Sequence, residues 1–208
     1  MSDITRIAIC GQLRSGKSLI AEHLQTNKGF KIISFGSRLK QAADELFAYS
    51  EVYKPEIITA PCPFGGKREI GRKKPRRLYQ DFGEALRALD GDIWITHAEQ
   101  AMKAYELFRD TKGIVLDDLR QPRELEWARA NGYTIIRVTA PENVRVERAT
   151  ALGDDFDTES LTHETEMHVD GFEVDYEITN DGSKAELLAR VDEIVDETRA
   201  KGGRYDEI

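Results

Sequence analysis

Gly11-Gln12-Leu13-Arg14-Ser15-Gly16-Lys17-Ser18 is the stretch from which the rest of this 208-residue chain can be read. It is a complete G-x-x-x-x-G-K-[ST] match, and each fixed position has a physical reason. Glycines let the backbone curl until successive N–H groups point inward at one anion. A helix starting at about Lys17 aims the positive end of its dipole at the same point. The Lys17 ammonium can then reach the outer phosphates of a nucleotide, and the Ser18 hydroxyl can ligate Mg²⁺. The flanks agree. Arg6 to Cys10 is a short apolar run that reads as a strand ending on Gly11, and Lys17 to about Gln25 reads as a helix closed by Asn27-Lys28-Gly29.

A strand, this loop and a helix together make a P-loop. Gly11, Arg14, Ser15, Gly16, Lys17, Ser18 and Leu19 are therefore the expected ATP contacts, with Mg²⁺ beside Ser18. Outward from the loop, further strands are expected at Phe30 to Phe35, Gly113 to Asp118, Tyr133 to Thr139 and Val174 to Ile178. The centre of the third strand, Ile114-Val115-Leu116, is wholly apolar, as a strand buried on both faces requires. Helical spacing covers Ser37 to Tyr49, Leu78 to Leu89, Ile93 to Phe108, Pro122 to Ala130, a segment opened by Pro141, and Ser183 to about Lys201. Strands alternating with helices imply right-handed βαβ units. The expected fold is α/β, a P-loop NTPase three-layer sandwich: a five-stranded parallel sheet with helices on both faces. It forms one domain over 1–208, with an acceptor-binding insert at about 50–110 and a short lid at about 141–171. Residues 50–77 and 153–171 lack periodicity. Loops of that length in a compact domain commonly bind or cover something.

Bulk composition narrows the class. Hydrophobic residues make up 40% and charged residues 33%, enough for a core under a solvated surface. The net charge of −8 excludes a generic nucleic-acid coat, so anions must be met by local basic patches. Cys10, in an apolar run, reads as a buried thiol, and Cys62 lies in a loop between prolines. Their spacing supports neither a disulfide framework nor a zinc site. No apolar run approaches the length of a membrane span, and the chain reads as soluble and cytoplasmic with no membrane partner. A homodimer is left open. His23, His97, His163 and His168 read as structural or exposed, as lone histidines usually are.

A kinase needs a second metal determinant and a way to hold an acceptor. Asp117 and Asp118 follow the apolar strand and supply acids at its carboxyl end. One of the two should serve Mg²⁺ through its water shell, and the other can cap the next helix. Arginine suits the acceptor and the developing charge, because it is permanently charged and binds phosphate bidentately. Arg120 follows the acid pair, where open α/β sheets bind ligands. Arg87 lies on the helix after the first irregular segment, and Arg145 and Arg148 share one helix face three residues apart. The run from Lys67 to Arg77 is strongly basic. It is read as an acceptor-binding flap, a nucleic-acid contact or a solvated loop. Tyr79, Phe82 and Trp94 could stack on a base, although aromatics at helical spacing more often form core.

Four further segments resemble the bacteriophage-type deoxynucleoside monophosphate kinases. They are Pro75 to Arg87 with Trp94 soon after, Leu116 to Glu124, His163-Glu164-Thr165-Glu166, and Asp175 to Gly182. In that order they span nearly the whole chain. The resemblance implies that Arg76, Gln80, Arg87 and Trp94 lie in the acceptor-nucleotide region and that Arg120 contacts the acceptor phosphate. It also implies that Asp118 rather than Asp117 is the strand-end acid, that Arg145 and Arg148 lead into a lid over ATP, and that Asn180 lies near the adenine. Glu84 stands where the family usually has threonine, and Thr165 where it has serine. Both departures bear on which base is accepted.

The expected activity is ATP-dependent transfer of the γ-phosphoryl group to a nucleoside monophosphate. The expected catalytic residues are Lys17, Arg120, Asp118, Arg145 and Arg148. Two alternatives stand beside it: another small-molecule P-loop kinase, of the dephospho-coenzyme A or phosphomevalonate type, and a kinase or ATPase acting on a nucleic-acid-borne acceptor. A regulatory GTP switch is disfavoured, because no N-K-x-D guanine-reading segment is present.

Overall fold

The computed structural model describes residues 4–52, 57–61, 67–72, 76–151 and 168–202, of which 57–61, 67–72, 76 and 202 are described by backbone alone. The elements in chain order are β1 (Thr5–Cys10), α1 (Lys17–Lys28), β2 (Phe30–Ile33), α2 (Phe35–Leu46), β3 (Ile57–Pro61), β4 (Lys67–Arg72), α3 (Arg76–Leu89) and α4 (Ile93–Glu106). They continue with β5 (Gly113–Leu119), α5 (Pro122–Ala130), β6 (Thr134–Thr139), α6 (Glu142–Ala151), β7 (Tyr176–Thr179) and α7 (Lys184–Gly202). The chain divides into two compact units, Met1–Phe35 with Ile95–Ile208, and Gly36–Trp94.

The first unit holds a five-stranded sheet of order β2-β5-β1-β6-β7, parallel throughout. Alternation along each strand builds two cores. Ile7, Ile9, Val115, Ile136, Val138 and Ile178 form one, with Ile20 and Leu24 of α1 and Val191, Ile194 and Val195 of α7. The intervening residues Ala8, Ile114, Leu116 and Ile135 are as fully buried, so the sheet is covered on both faces as expected of parallel strands. Helix ends follow the punctuation in the sequence. Gly29 closes α1 in the left-handed region (φ 71°), and Gly132 follows α5 in the same conformation (φ 72°). Pro122 opens α5 above a capping box of Gln121 and Glu124.

The second unit spans Gly36–Trp94 and includes part of the stretch expected to form the acceptor-binding insert, about 50–110. Within the stretch that lacks periodicity, β3 and β4 pair as an antiparallel ribbon (Ile57↔Arg72, Pro61↔Lys67). The basic run thus begins as a strand rather than a loop. The pattern was hidden because β4 reads Lys-Arg-Glu-Ile-Gly-Arg, with no apolar alternation, and β3 ends on a proline. In the same unit, Gly83 lets α3 approach α2 closely: a Cβ there would meet Leu39 Cδ1 at 2.5 Å.

Candidate active site

A P-loop can point its N–H groups inward only if its carbonyls find donors elsewhere, since buried backbone acceptors must be satisfied. The structure supplies them residue by residue. Lys17 Nζ donates to the carbonyl of Gly11 and, at 2.8 Å, to that of Gln12, which also accepts from the Ser15 N–H. The Gly16 carbonyl takes the N–H groups of Leu19 and Ile20 as α1 begins. The Ser15 carbonyl accepts from Asn180 Nδ2 at 2.7 Å, and the Arg14 carbonyl from Arg148 Nη1 at 3.4 Å. Three left-handed or positive-φ residues make the curl: Gly11 (φ 146°), Arg14 (φ 62°) and Gly16 (φ 115°). Gly16 has a second reason to lack a side chain, because its Cβ would collide with Asn180 Nδ2.

Among the described residues, several buried polar atoms at this end of the sheet have no hydrogen-bond partner, and two of the groups concerned belong to or flank the loop. One is Ser15 Oγ, inside the loop itself. The other is the Arg145 guanidinium, 7% exposed, whose Nε and Nη1 are both unpartnered. Arg145 lies one turn before Arg148 on α6. Buried donors without acceptors are costly, and phosphate oxygens are acceptors that would relieve both the Ser15 hydroxyl and these two guanidinium nitrogens. Ser18 is exposed at the start of α1, open to a hydrated metal ion.

The two strand-end acids differ in surroundings. β5 fits one extra residue against β1 at this point, since Ala8 pairs with Leu116 but Cys10 with Leu119. Asp118 accepts from Ser34 Oγ at 2.8 Å and from the backbone N–H of Phe35 at 2.7 Å, and so caps the start of α2. That cap explains why β2 stops at Ile33 and the helix begins at Phe35, where the sequence suggested continued strand. Asp117 is half-buried beside it. Arg120 is half-buried just past β5. Its N–H and that of Gln121 both donate to Glu124 Oε2 at 2.9 Å, which fixes the turn that carries it.

The remaining expected residues are scattered. Gln80 is exposed and Arg87 half-buried on α3, seven residues and so about two turns apart on one stripe. Arg76 is the first residue of α3, and its side chain lies outside the described residues. Trp94 is buried at the start of α4. Cys62, His163, Thr165 and most of the expected lid, residues 152–167, lie outside the described residues. Cys10 is buried, and desolvation raises its thiol to about 11 despite nearby Arg137 and Lys17, so it is chemically quiet. His23 is structural: its Nε2 lies 2.8 Å from Asp192 and its Nδ1 2.9 Å from Asn27. Sequence reasoning missed Ser34, which helps place Asp118, and Gln12, whose side chain donates to Asp170 at 3.1 Å. No helix among the described residues is long and apolar enough to cross a membrane.

No known protein-family profile matches the chain, and no curated protein sequence matches it. Solved structures do. TT1252 from Thermus thermophilus is 19% identical, covering 94% of this chain and 98% of its own, with a TM-score of 0.55. A gluconokinase from Sinorhizobium meliloti 1021 is 15% identical over 98% of both chains, with a TM-score of 0.54. At such identities the likeness is one of fold: an α/β fold built on a five-stranded parallel sheet.

Proposed function

We propose that this protein is an ATP-dependent kinase that moves the γ-phosphoryl group onto a small phosphorylated acceptor, specifically a ribo- or deoxynucleoside monophosphate. The observation that carries the reading is the loop at 11–18, curled between β1 and α1 with its carbonyls hydrogen-bonded to Lys17, Asn180 and Arg148. That arrangement leaves the inward N–H groups, the helix N-terminus and Lys17 to share the charge of a polyphosphate. The orphaned hydroxyl of Ser15 and the two guanidinium nitrogens of Arg145 fit the same ligand.

Each residue then has a task. Lys17 would stay close to the transferring group, its ammonium held by the Gly11 and Gln12 carbonyls. Ser18 and the acid pair on β5 would hold Mg²⁺, which screens the phosphate charges when bound. Asp118 accepts one hydrogen bond on each carboxylate oxygen as the cap of α2, and a carboxylate oxygen carries two lone pairs. Asp117 lies half-buried beside it, so either acid of the pair would face the ion's water shell. Arg120 and Arg145 supply positive charge to the transition state. Gln80 and Arg87, with Arg76, would receive the acceptor, in keeping with the resemblance of their segment to the nucleoside monophosphate kinases. No general base is required, since a phosphate acceptor is already ionised near neutral pH.

The test is a phosphoryl-transfer assay with Mg²⁺-ATP and a panel of ribo- and deoxynucleoside monophosphates, read as acceptor-dependent ADP release. Turnover with one or more of them is the expected outcome. Protein that binds ATP yet stays silent across the panel, and turns over with a hydroxyl acceptor instead, would replace the nucleotide acceptor by an alcohol. Protein that binds no ATP at all would end the kinase reading.

A further inference from the structure

We infer that Asn180 and Arg148 are positioning residues for the phosphate cradle: a clamp from outside the loop that holds its carbonyls turned away from the nucleotide. The inference rests on the kinase reading above and assigns these two residues tasks different from those the sequence suggests. There, Asn180 edges the adenine and Arg148 meets the transition state.

The geometry is a closed chain of contacts. Asn180 follows β7 directly, and its backbone N–H donates to the Thr139 carbonyl at 2.7 Å, so the residue is fixed at the ends of β6 and β7. The residue is 5% exposed, and its side chain donates to the Ser15 carbonyl at 2.7 Å. Its own two oxygens, backbone and Oδ1, both accept from Arg148 Nη2 at 3.3 Å. The other arm of that guanidinium, Nη1, reaches the Arg14 carbonyl at 3.4 Å. Arg14 and Ser15 are consecutive loop residues, so the clamp grips the loop where it is most strained, beside the positive φ of Arg14 and Gly16. The bonds from Arg148 are long, and one side chain is shared among three acceptors, which suits a bracing role. Asn180 also lies where a Cβ on Gly16 would sit, so the glycine and the amide fit each other.

The consequence is chemical. Releasing the Ser15 or Arg14 carbonyl lets the peptide units rotate, which removes N–H groups from the anion and brings carbonyl oxygens towards it. Affinity for the phosphates should suffer whatever base is attached. An adenine contact would instead matter only to ligands that carry adenine, and a transition-state cation only to the rate.

The experiment measures binding of Mg²⁺-ATP and of inorganic tripolyphosphate by calorimetry, on the full chain and on Asn180→Ala, Asn180→Asp, Arg148→Met and Arg148→Lys, each checked for a cooperative melt. Asn180→Ala should weaken both ligands equally, by about tenfold, the worth of one well-made buried hydrogen bond. Asn180→Asp should weaken both further, because it sets a carboxylate against the Ser15 carbonyl. Arg148→Met should reproduce the pattern from the far end of the clamp, with Arg148→Lys recovering part of the loss. In turnover the loss should fall on KM for ATP rather than on kcat. Loss of ATP binding with tripolyphosphate unaffected would overturn the inference in favour of an adenine contact. A fall in kcat for Arg148→Met with unchanged affinities would overturn it in favour of a transition-state role. Variants that bind both ligands as the unaltered chain does would sink this inference alone. An unaltered chain that binds neither would sink it together with the kinase reading. Should an Asn180 variant fail to fold, the two Arg148 variants carry the same test from α6.

Discussion

The loop at 11–18 and the helix at 76–89 both carry residues expected to meet phosphate, and they hold them in opposite ways. In the loop, binding groups are backbone N–H groups whose orientation is set by neighbours: Lys17 on one side, Asn180 and Arg148 on the other. On α3 the binding groups are long side chains, with Gln80 exposed and Arg87 half-buried. A site made of backbone must be built in full before any ligand arrives, and its construction is visible as a set of accounted carbonyls. A site made of long surface side chains takes its form on the ligand and leaves little trace beforehand, since each side chain loses rotamer entropy only when it binds. On the proposed reading, specificity for the acceptor would reside on that second, less constrained side.

The largest expected effect tests the preformed side. Lys17→Ala removes the buried ammonium that joins the Gly11 and Gln12 carbonyls and should lower kcat/KM for ATP by about 10³-fold, with circular dichroism unchanged. Near-normal turnover by the folded variant would show that the loop is a structural turn. Gly16→Ala should come next. The new Cβ enters a backbone at φ 115° and meets the Asn180 amide, which costs about 1–3 kcal/mol of strain. Because the strain sits inside the cradle, a loss of about 10- to 100-fold in ATP affinity is expected alongside a lowered melting temperature. A variant that melts lower yet binds ATP as before would show that the cradle reshapes easily, and the contrast with α3 would lose its basis.

Much of the preformed side was legible in the sequence because its determinants are local. Eight consecutive residues specify the turn, and the flanking periodicity places it between strand and helix. The clamp was not legible. Asn180 and Arg148 lie far from the loop in sequence, and only the register of β6 with β7 and the position of α6 bring them to it. The role of Asp118 was half legible. Its place at a strand end followed from the apolar run, but its bonds to Ser34 and Phe35 depend on β2 pairing with β5, a partnership that no local pattern encodes. The ribbon of β3 and β4 was not legible, because β4 carries no apolar alternation and β3 is short and ends on a proline.

The acceptor side is tested more gently. Arg120 stands on a turn whose backbone N–H groups are tied to Glu124. Arg120→Lys keeps the charge and removes the bidentate fork. It should raise KM for the monophosphate by about tenfold while leaving the affinity for ATP alone, measured by varying each substrate in turn. Arg87→Lys should do less, since a side chain that adopts its geometry on binding loses less when its fork is replaced by a point charge. Equal losses for the two would mean that both sides are preorganised.

The smallest effect concerns how the cradle's own helix is anchored. α1 is tied to α7 by Asp192, which lies 2.8 Å from His23 Nε2 and 3.3 Å from Lys28 Nζ. Burial alone would raise the Asp192 carboxyl, but the bonds from His23 and Lys28 outweigh it and hold it below the usual carboxylate range. A carboxyl whose folded pKa is depressed contributes stability above its unfolded value, near 3.9, and loses it as the pH falls through the folded value. Asp192→Asn should therefore lower the melting temperature at neutral pH by the equivalent of about 0.5–1 kcal/mol, the range for a partly exposed pair. The difference from the unaltered chain should close as the pH drops below about 4. A gap that persists at low pH would mean that Asp192 acts through packing or neutral hydrogen bonds, and that α1 is held by its apolar face (Ile20, Ala21, Leu24) with no electrostatic share.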